Sequence, residues 1–182
     1  VLYMAIFYLV FAVVLGNRTE NFIVFLLIGL TVWRWFQSTV MAGSVAISQS
    51  RSIINQVYFP KLVLPVVSVL TNTVEFLVVF ALLLMFLWIM GYPPSLSWLA
   101  LFPLLLVQLL LITGMTLLLA AMLPFLPDIR VLIDNLLRGL FFMTGIFFDI
   151  SAVNEPMKSW LYLNPMAVLV RDYREALINQ LW

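Results

Sequence analysis

The stretch "LVLPVVSVLTNTVEFLVVFALLLMFLWIM", Leu62 to Met90, decides the fold class. As a helix its about 29 residues reach about 43 Å at roughly 1.5 Å per residue, more than the about 30 Å of a bilayer's hydrocarbon. A rod of this length must tilt or protrude, and only Glu75 interrupts its apolar or uncharged run. Similar stretches recur at 1–15, 22–40, 98–123 and 131–148. The 182 residues are 65% hydrophobic and 9% charged, too little polar surface for a water-facing domain. The chain reads as an all-α, multi-pass integral membrane protein, a helical bundle forming one domain over 1–182.

Turn signals separate the spans. "GNRTEN" (Gly16–Asn21) is a short polar turn, and its Asn17-Arg18-Thr19 sequon reads as accidental. A half-polar connector covers 41–61. "GYPPSLS" (Gly91–Ser97) ends the third span, and the two prolines of "PFLPDIR" (Pro124–Arg130) end the fourth. Val1–Leu15 has no basic leader and no small-residue cleavage pattern, so it reads as the later part of a span rather than a signal peptide. In the last segment, 149–182, Asn164 suits an N-cap and Pro165 the first helical position. Met166, Leu169, Val170, Tyr173, Leu177 and Leu181 then form an apolar stripe, with Arg171, Asp172, Arg174 and Glu175 expected on the opposite face. That pattern predicts an amphipathic helix at the membrane interface, not a further span. Basic residues in short loops favour 41–61 and Pro124–Arg130 as the inner side.

Composition excludes several classes of function. A net charge of +1 gives no basic stripe for nucleic acid. Cysteine and histidine are both absent, which removes thiol chemistry, Cys/His metal sites and a histidine base. No glycine falls in a phosphate-cradling GxxxxGK pattern. The acids Asp128, Asp134, Asp149 and Glu155 have no partner base in sequence. The chain is therefore not expected to be an enzyme or to carry a cofactor; if ATP drives it, a separate chain must bind the nucleotide.

Charges within spans are costly, about 2.5–3.5 kcal/mol at mid-span, which singles out Arg34 and Glu75. Arg34, between Trp33 and Trp35, reads either as lining a polar path or as snorkelling at interface depth. Glu75 reads either as facing a conduit or as pairing with Arg34 across two helices. Tyr3, Phe7 and Phe11 recur every four residues on one face. Such a stripe packs helices or stacks on sugar rings.

The connector carries the most specific signal. Ser50, Arg51, Ser52, Ile53, Ile54, Asn55, Gln56, Val57, Tyr58 and Phe59 form a short amphipathic segment broken at Pro60-Lys61. "NQVYFPKLVLPVVSVL" resembles the cytoplasmic connector of permease subunits in the ABC type-2 exporter family. "GYPPS", "LPFLPDIRVLIDNLLRGLFFMTGIFFDIS" and "LYLNPMAVLVRDYREAL" resemble that family's later turns and segments, in matching order. The likeness covers nearly the whole chain and is closest to the branch exporting O-antigen, capsule or teichoic acid. Asp128-Ile129-Arg130 departs from the adjacent pair commoner there, and Arg34 is not an expected family feature.

The resemblance implies six spans, the sixth lying beyond this sequence, in a homodimer in the bacterial inner membrane. It also implies two ABC ATPase subunits that hold ATP and magnesium, and a lipid-linked polysaccharide as cargo. Ser50–Phe59 would be the ATPase-coupling segment, with Asp128, Arg130 and Asp134 as a second inner contact. The substrate path would draw on Tyr3, Phe7, Phe11, Trp33, Arg34, Trp35 and Glu75. Two rivals stand beside this expectation: an exporter of drugs or lipids on the same fold, and an ion-coupled carrier or channel without an ATPase.

Overall fold

A computed structural model describes residues 22–50, 60–126 and 128–179 of the chain. Among these residues all regular structure is helical. Helix α1 is Phe22–Gln49, α2 is Val63–Ile89, and a 3-10 turn at Leu96–Ala100 leads into α3, Leu101–Met122. Helix α4 is Ile129–Met143, and the terminal segment holds α5 (Met157–Leu161) and α6 (Pro165–Arg174), with a π turn at Glu175–Asn179. The expected span at 1–15 lies outside the described residues.

Three helical stretches, Phe22–Gln49, Val63–Ile89 and Leu96–Met122, are long and apolar enough to cross a membrane. In hydrocarbon the backbone must satisfy its own polar groups, so even Val- and Ile-rich sequence is driven into helix. Helix α1 is the hub, packed against α2, α3, α4 and α6. In its most apolar window 56% of residues are buried, against 22% in α2 and in the third stretch, which leaves those two to face lipid.

Helix α1 runs through to Gln49 rather than ending near Val40. The reason is a close seam with α3. Gly43, Ser44 and Val45 are buried, and a side chain at Gly43 would collide with Thr116. Ser44 Oγ donates to Met41 O at 2.9 Å, satisfying itself within the helix. Small and hydroxylated residues read as connector in water, but in a membrane they let helices approach.

Helix α2 begins after Pro60, and Pro65 sits in its first turn, where amides have no intrahelical acceptor. It ends in a Schellman motif: Gly91 N donates to Trp88 O and Tyr92 N to Leu87 O, with Gly91 at φ 94°. Helix α4 has 15 residues, about 22 Å, so the expected span over 131–148 is a shorter helix followed by a turn. Gly145, at φ 69°, makes that turn, and a Cβ there would strike Ile150.

The terminal segment folds over the end of the bundle where α1 begins. Asn164 caps α6 as the sequence predicts, its side chain accepting from Met166 N at 3.1 Å with Pro165 in the first turn. The other Asn164 group, Nδ2, donates to Thr144 Oγ1 at 2.9 Å, and Ser97 Oγ donates to Ala176 O at 3.1 Å. Ile150, Leu161 and Ala167 give the segment a small core of its own. An aromatic ladder ties the layers together. Trp35 stacks on Phe76 at 4.1 Å, Phe76 on Phe80 at 5.1 Å, and Phe80 meets the edge of Tyr173 at 6.1 Å.

Candidate functional site

Two clefts meet at Ser38 on one side of α1 and together make a groove along it. The deeper cleft, about 580 Å³, lies between α1 and α2 and includes Arg34, Gln37, Asn72, Glu75 and Phe141 of α4. The other, about 770 Å³, runs to the connector, where Gln49 and Ser50 face Val63 and Arg130. The groove thus spans from mid-bundle to the end where α1 stops and α2 starts.

Arg34 and Glu75 are both exposed and line the same cleft, yet no ion pair joins them among the described residues. A formal charge on a membrane-spanning helix is costly in hydrocarbon unless polar groups or water surround it. Asn72 is half-buried beside them, its Nδ2 donating to Ser68 O at 2.9 Å. The flanking aromatics do something else. Trp33 and Trp35 are 2% and 3% exposed, so their rings belong to the packed core that walls the cleft. Trp33 Nε1 donates to Gln37 Oε1 at 3.1 Å, and its ring lies 5.7 Å from Phe141. Tyr3, Phe7 and Phe11 lie outside the described residues.

At the connector end, Ser50 continues the last turn of α1, its N–H donating to Ala46 O at 3.2 Å. Arg51, Ser52, Ile53, Ile54, Asn55, Gln56, Val57, Tyr58 and Phe59 lie outside the described residues. Arg130 shares a groove wall with Ser50, so the fold brings the end of the Pro124–Arg130 stretch beside the start of the connector. Asp128 is exposed at the start of α4 without a capping bond from its side chain. Asp134 is paired instead with Arg138 one turn on, at 2.7 Å.

Arg174 corrects the sequence reading. It was expected on the polar face of α6 and is instead 7% exposed. Its Nε donates to Phe25 O at 3.2 Å, Nη1 to Gly145 O at 2.8 Å and Nη2 to Ile146 O at 2.9 Å. The guanidinium lies 3.3 Å from the centre of the Phe25 ring. Burial pulls its pKa down to about 9 while Asp149 opposes the fall, so it remains charged at neutral pH. The carbonyl oxygens and the ring face offset the cost of burying it; charge-assisted bonds contribute about 1.5–3 kcal/mol each. Gly29 makes the approach possible, because a Cβ there would sit 2.6 Å from Nη2. The signal in the sequence was position: Arg174 stands four residues after Val170 and three before Leu177, inside the apolar stripe. Arg171 does stay on the polar side. It bonds Asp172 at 2.7 Å, which raises its pKa, and reaches Glu175 at 3.6 Å.

Among the described residues no cluster of acids could hold a metal ion. The arrangement is an apolar helical bundle with a mostly apolar groove along α1 that carries a few polar side chains, the start of the connector at one end and a tethered segment over the other.

Comparison with known proteins agrees. The family model described as "ABC-2 type transporter" matches residues 1–178. An O-antigen export system permease protein RfbA of Myxococcus xanthus is 36% identical over 177 residues, covering 95% of this chain and 67% of that protein. Two O-antigen export system permease proteins RfbA of Klebsiella pneumoniae are each 26% identical over 179 residues, covering 98% of this chain and 69% of theirs. With that match running almost from end to end over an all-helical membrane bundle, the chain belongs to the ABC-2 type transporter family, as a membrane-spanning permease subunit.

Proposed function

We propose that this chain is the permease half of an ATP-driven exporter that moves a lipid-linked cell-surface polysaccharide of the O-antigen, capsule or teichoic acid type. It acts as a homodimer in the bacterial inner membrane, with two ATPase subunits docked on its connector side. The observation that carries this reading is the groove on α1 and α2. It sets Arg34, Glu75, Asn72 and Gln37 at mid-bundle and opens towards Ser50 and Arg130 at the connector. A polyhydroxylated chain replaces the lost water around such groups with hydroxyl and amide contacts, which a plain hydrocarbon cargo does not. The export role in the names of the relatives supplies the cargo class.

On this reading the chain's own residues do three things. Ser50–Phe59 takes up movement from the motor, with Asp128, Arg130 and Asp134 as a lesser contact. Helix α1 carries that movement along its length. Arg34 and Glu75 hold the hydrophilic part of the cargo by hydrogen bonds and charge while lipid surrounds the outer faces of α2 and α3. Nucleotide and magnesium sit on the partner ATPase.

The test is to express the chain with its ATPase partner in a strain lacking its own polysaccharide export and to measure surface glycan together with ATP hydrolysis. Wild type restores surface glycan. Arg51→Glu combined with Ile53→Trp leaves membrane expression and ATP hydrolysis intact but abolishes export. Normal export by that double variant removes the connector from the mechanism.

A further inference from the structure

We propose that Arg174 is a positioning residue that joins the terminal segment 144–179 to helix α1 as one moving body. Displacement received at the Gln49 end of α1 is thereby delivered to the segment covering the opposite end. The inference rests on the exporter reading and adds to it the link between the two ends of the bundle.

Helix α1 is unbroken over 28 residues, about 42 Å, and contains no proline. One end enters the connector. Near the other, Arg174 clamps it: the guanidinium binds the carbonyl of Phe25 on α1 and the carbonyls of Gly145 and Ile146 in the turn after α4. One rigid planar fork therefore fixes α1, α6 and that turn at fixed mutual spacing. The contact is built for close approach from both sides, since Gly29 leaves the space and Gly145 takes the positive φ. Among the described residues no carboxylate forms a salt bridge with Arg174, whereas Arg171, on the neighbouring face, takes both Asp172 and Glu175. The Asn164–Thr144 bond and the Ile150–Leu161–Ala167 core hold the segment together internally, so what is tied at Arg174 moves as a unit.

A staple that only adds stability and a coupling contact differ in what they disturb. Loss of the first lowers folded yield; loss of the second leaves a folded transporter whose ATP hydrolysis no longer drives export. Arg174→Gln is compared with Arg174→Lys, which keeps the charge but not the planar fork. Both are prepared as the full transporter with its ATPase in lipid nanodiscs. Export per ATP is expected to fall about tenfold in Arg174→Gln, within the 5–150-fold range typical of coupling between sites, with partial recovery in Arg174→Lys.

The same samples carry nitroxide labels at Ile23→Cys and Met157→Cys, both exposed positions in a chain without native cysteine. With labelled chain diluted into excess unlabelled chain so that one copy per complex carries both labels, pulsed electron spin resonance should give one distance that is unchanged between nucleotide-free and ATP-bound wild type and that broadens in Arg174→Gln. A wild-type distance that shifts with nucleotide, or wild-type export per ATP in Arg174→Gln, overturns the proposal. If Arg174→Gln does not fold, Gly29→Ala crowds the same guanidinium and is read in the same way. A wild-type complex that hydrolyses ATP but exports no glycan counts against the exporter reading instead, while the label distance still decides whether α1 and the segment are one body.

Discussion

Arg34 and Arg174 show how one residue type takes two roles in the same bundle. Arg174 is buried and bound to backbone carbonyls, so its removal strands Phe25, Gly145 and Ile146. Arg34 is exposed with no ion-pair partner among the described residues, so its removal costs the fold little. Arg34→Leu is expected to keep thermal stability in detergent within about 0.5 kcal/mol of wild type, as for other substitutions outside packed sites. Surface glycan in the complemented strain should nevertheless fall sharply. A large drop in melting temperature would mean that Arg34 is structural. Glu75→Gln should behave in the same way, because the two charges share a cleft but not a bond. The sequence pointed to Arg34 and Glu75 because a charge within an apolar run is costly wherever it points. It misplaced Arg174 because residue type outweighed position: the register with Val170 and Leu177 put it on the apolar face, while its charge grouped it with Arg171, Asp172 and Glu175.

At the scale of helices, glycine position decides which contacts can form. Gly43 lies where Thr116 of α3 presses against α1, while Gly114, on α3 itself, has open space around a would-be Cβ. Gly43→Leu should therefore pry α1 from α3 and cost about 1–3 kcal/mol or more, the usual penalty of overpacking. Gly114→Leu should leave the melting temperature unchanged. Scanning fluorimetry of the two purified variants separates these outcomes, and equal effects would mean that the α1–α3 seam is not where stability resides. Much at this scale was legible in advance: the long apolar helices, the Gly91 turn, the Asn164-Pro165 helix start and the break at Pro124. The extension of α1 to Gln49 was not, because "MAGSVAISQ" (Met41–Gln49) has the small, hydroxylated composition of a surface connector and its helicity depends on α3 beside it. The early stop of α4 was hidden for the converse reason. "TGIFF" (Thr144–Phe147 and the flanking Phe148) is apolar enough to continue a span, yet Gly145 at positive φ turns the chain back.

For the whole molecule, the decisive quantity is which end of the bundle faces the cytoplasm. The path of the chain sets Lys61 and Asp128 at one end, with Ser151 and Ser159 in the segment over the other; all four are exposed. Basic residues in short loops are retained on the cytoplasmic side, and both Lys61 and Arg130 belong to the first end. The absence of native cysteine lets each position be replaced singly by cysteine without background. A membrane-impermeant maleimide applied to intact spheroplasts should then label Ser151→Cys and Ser159→Cys but not Lys61→Cys or Asp128→Cys; inside-out vesicles should give the reverse pattern. The logic admits no partial result, because the bundle crosses the bilayer as a unit and inverting one loop inverts every other. Labelling of Lys61→Cys from outside would put the groove's connector mouth beyond reach of any cytoplasmic ATPase. The displacement along α1 would then have to begin at the Arg174 end, which would face the cytoplasm, and the direction of drive along the helix would be reversed.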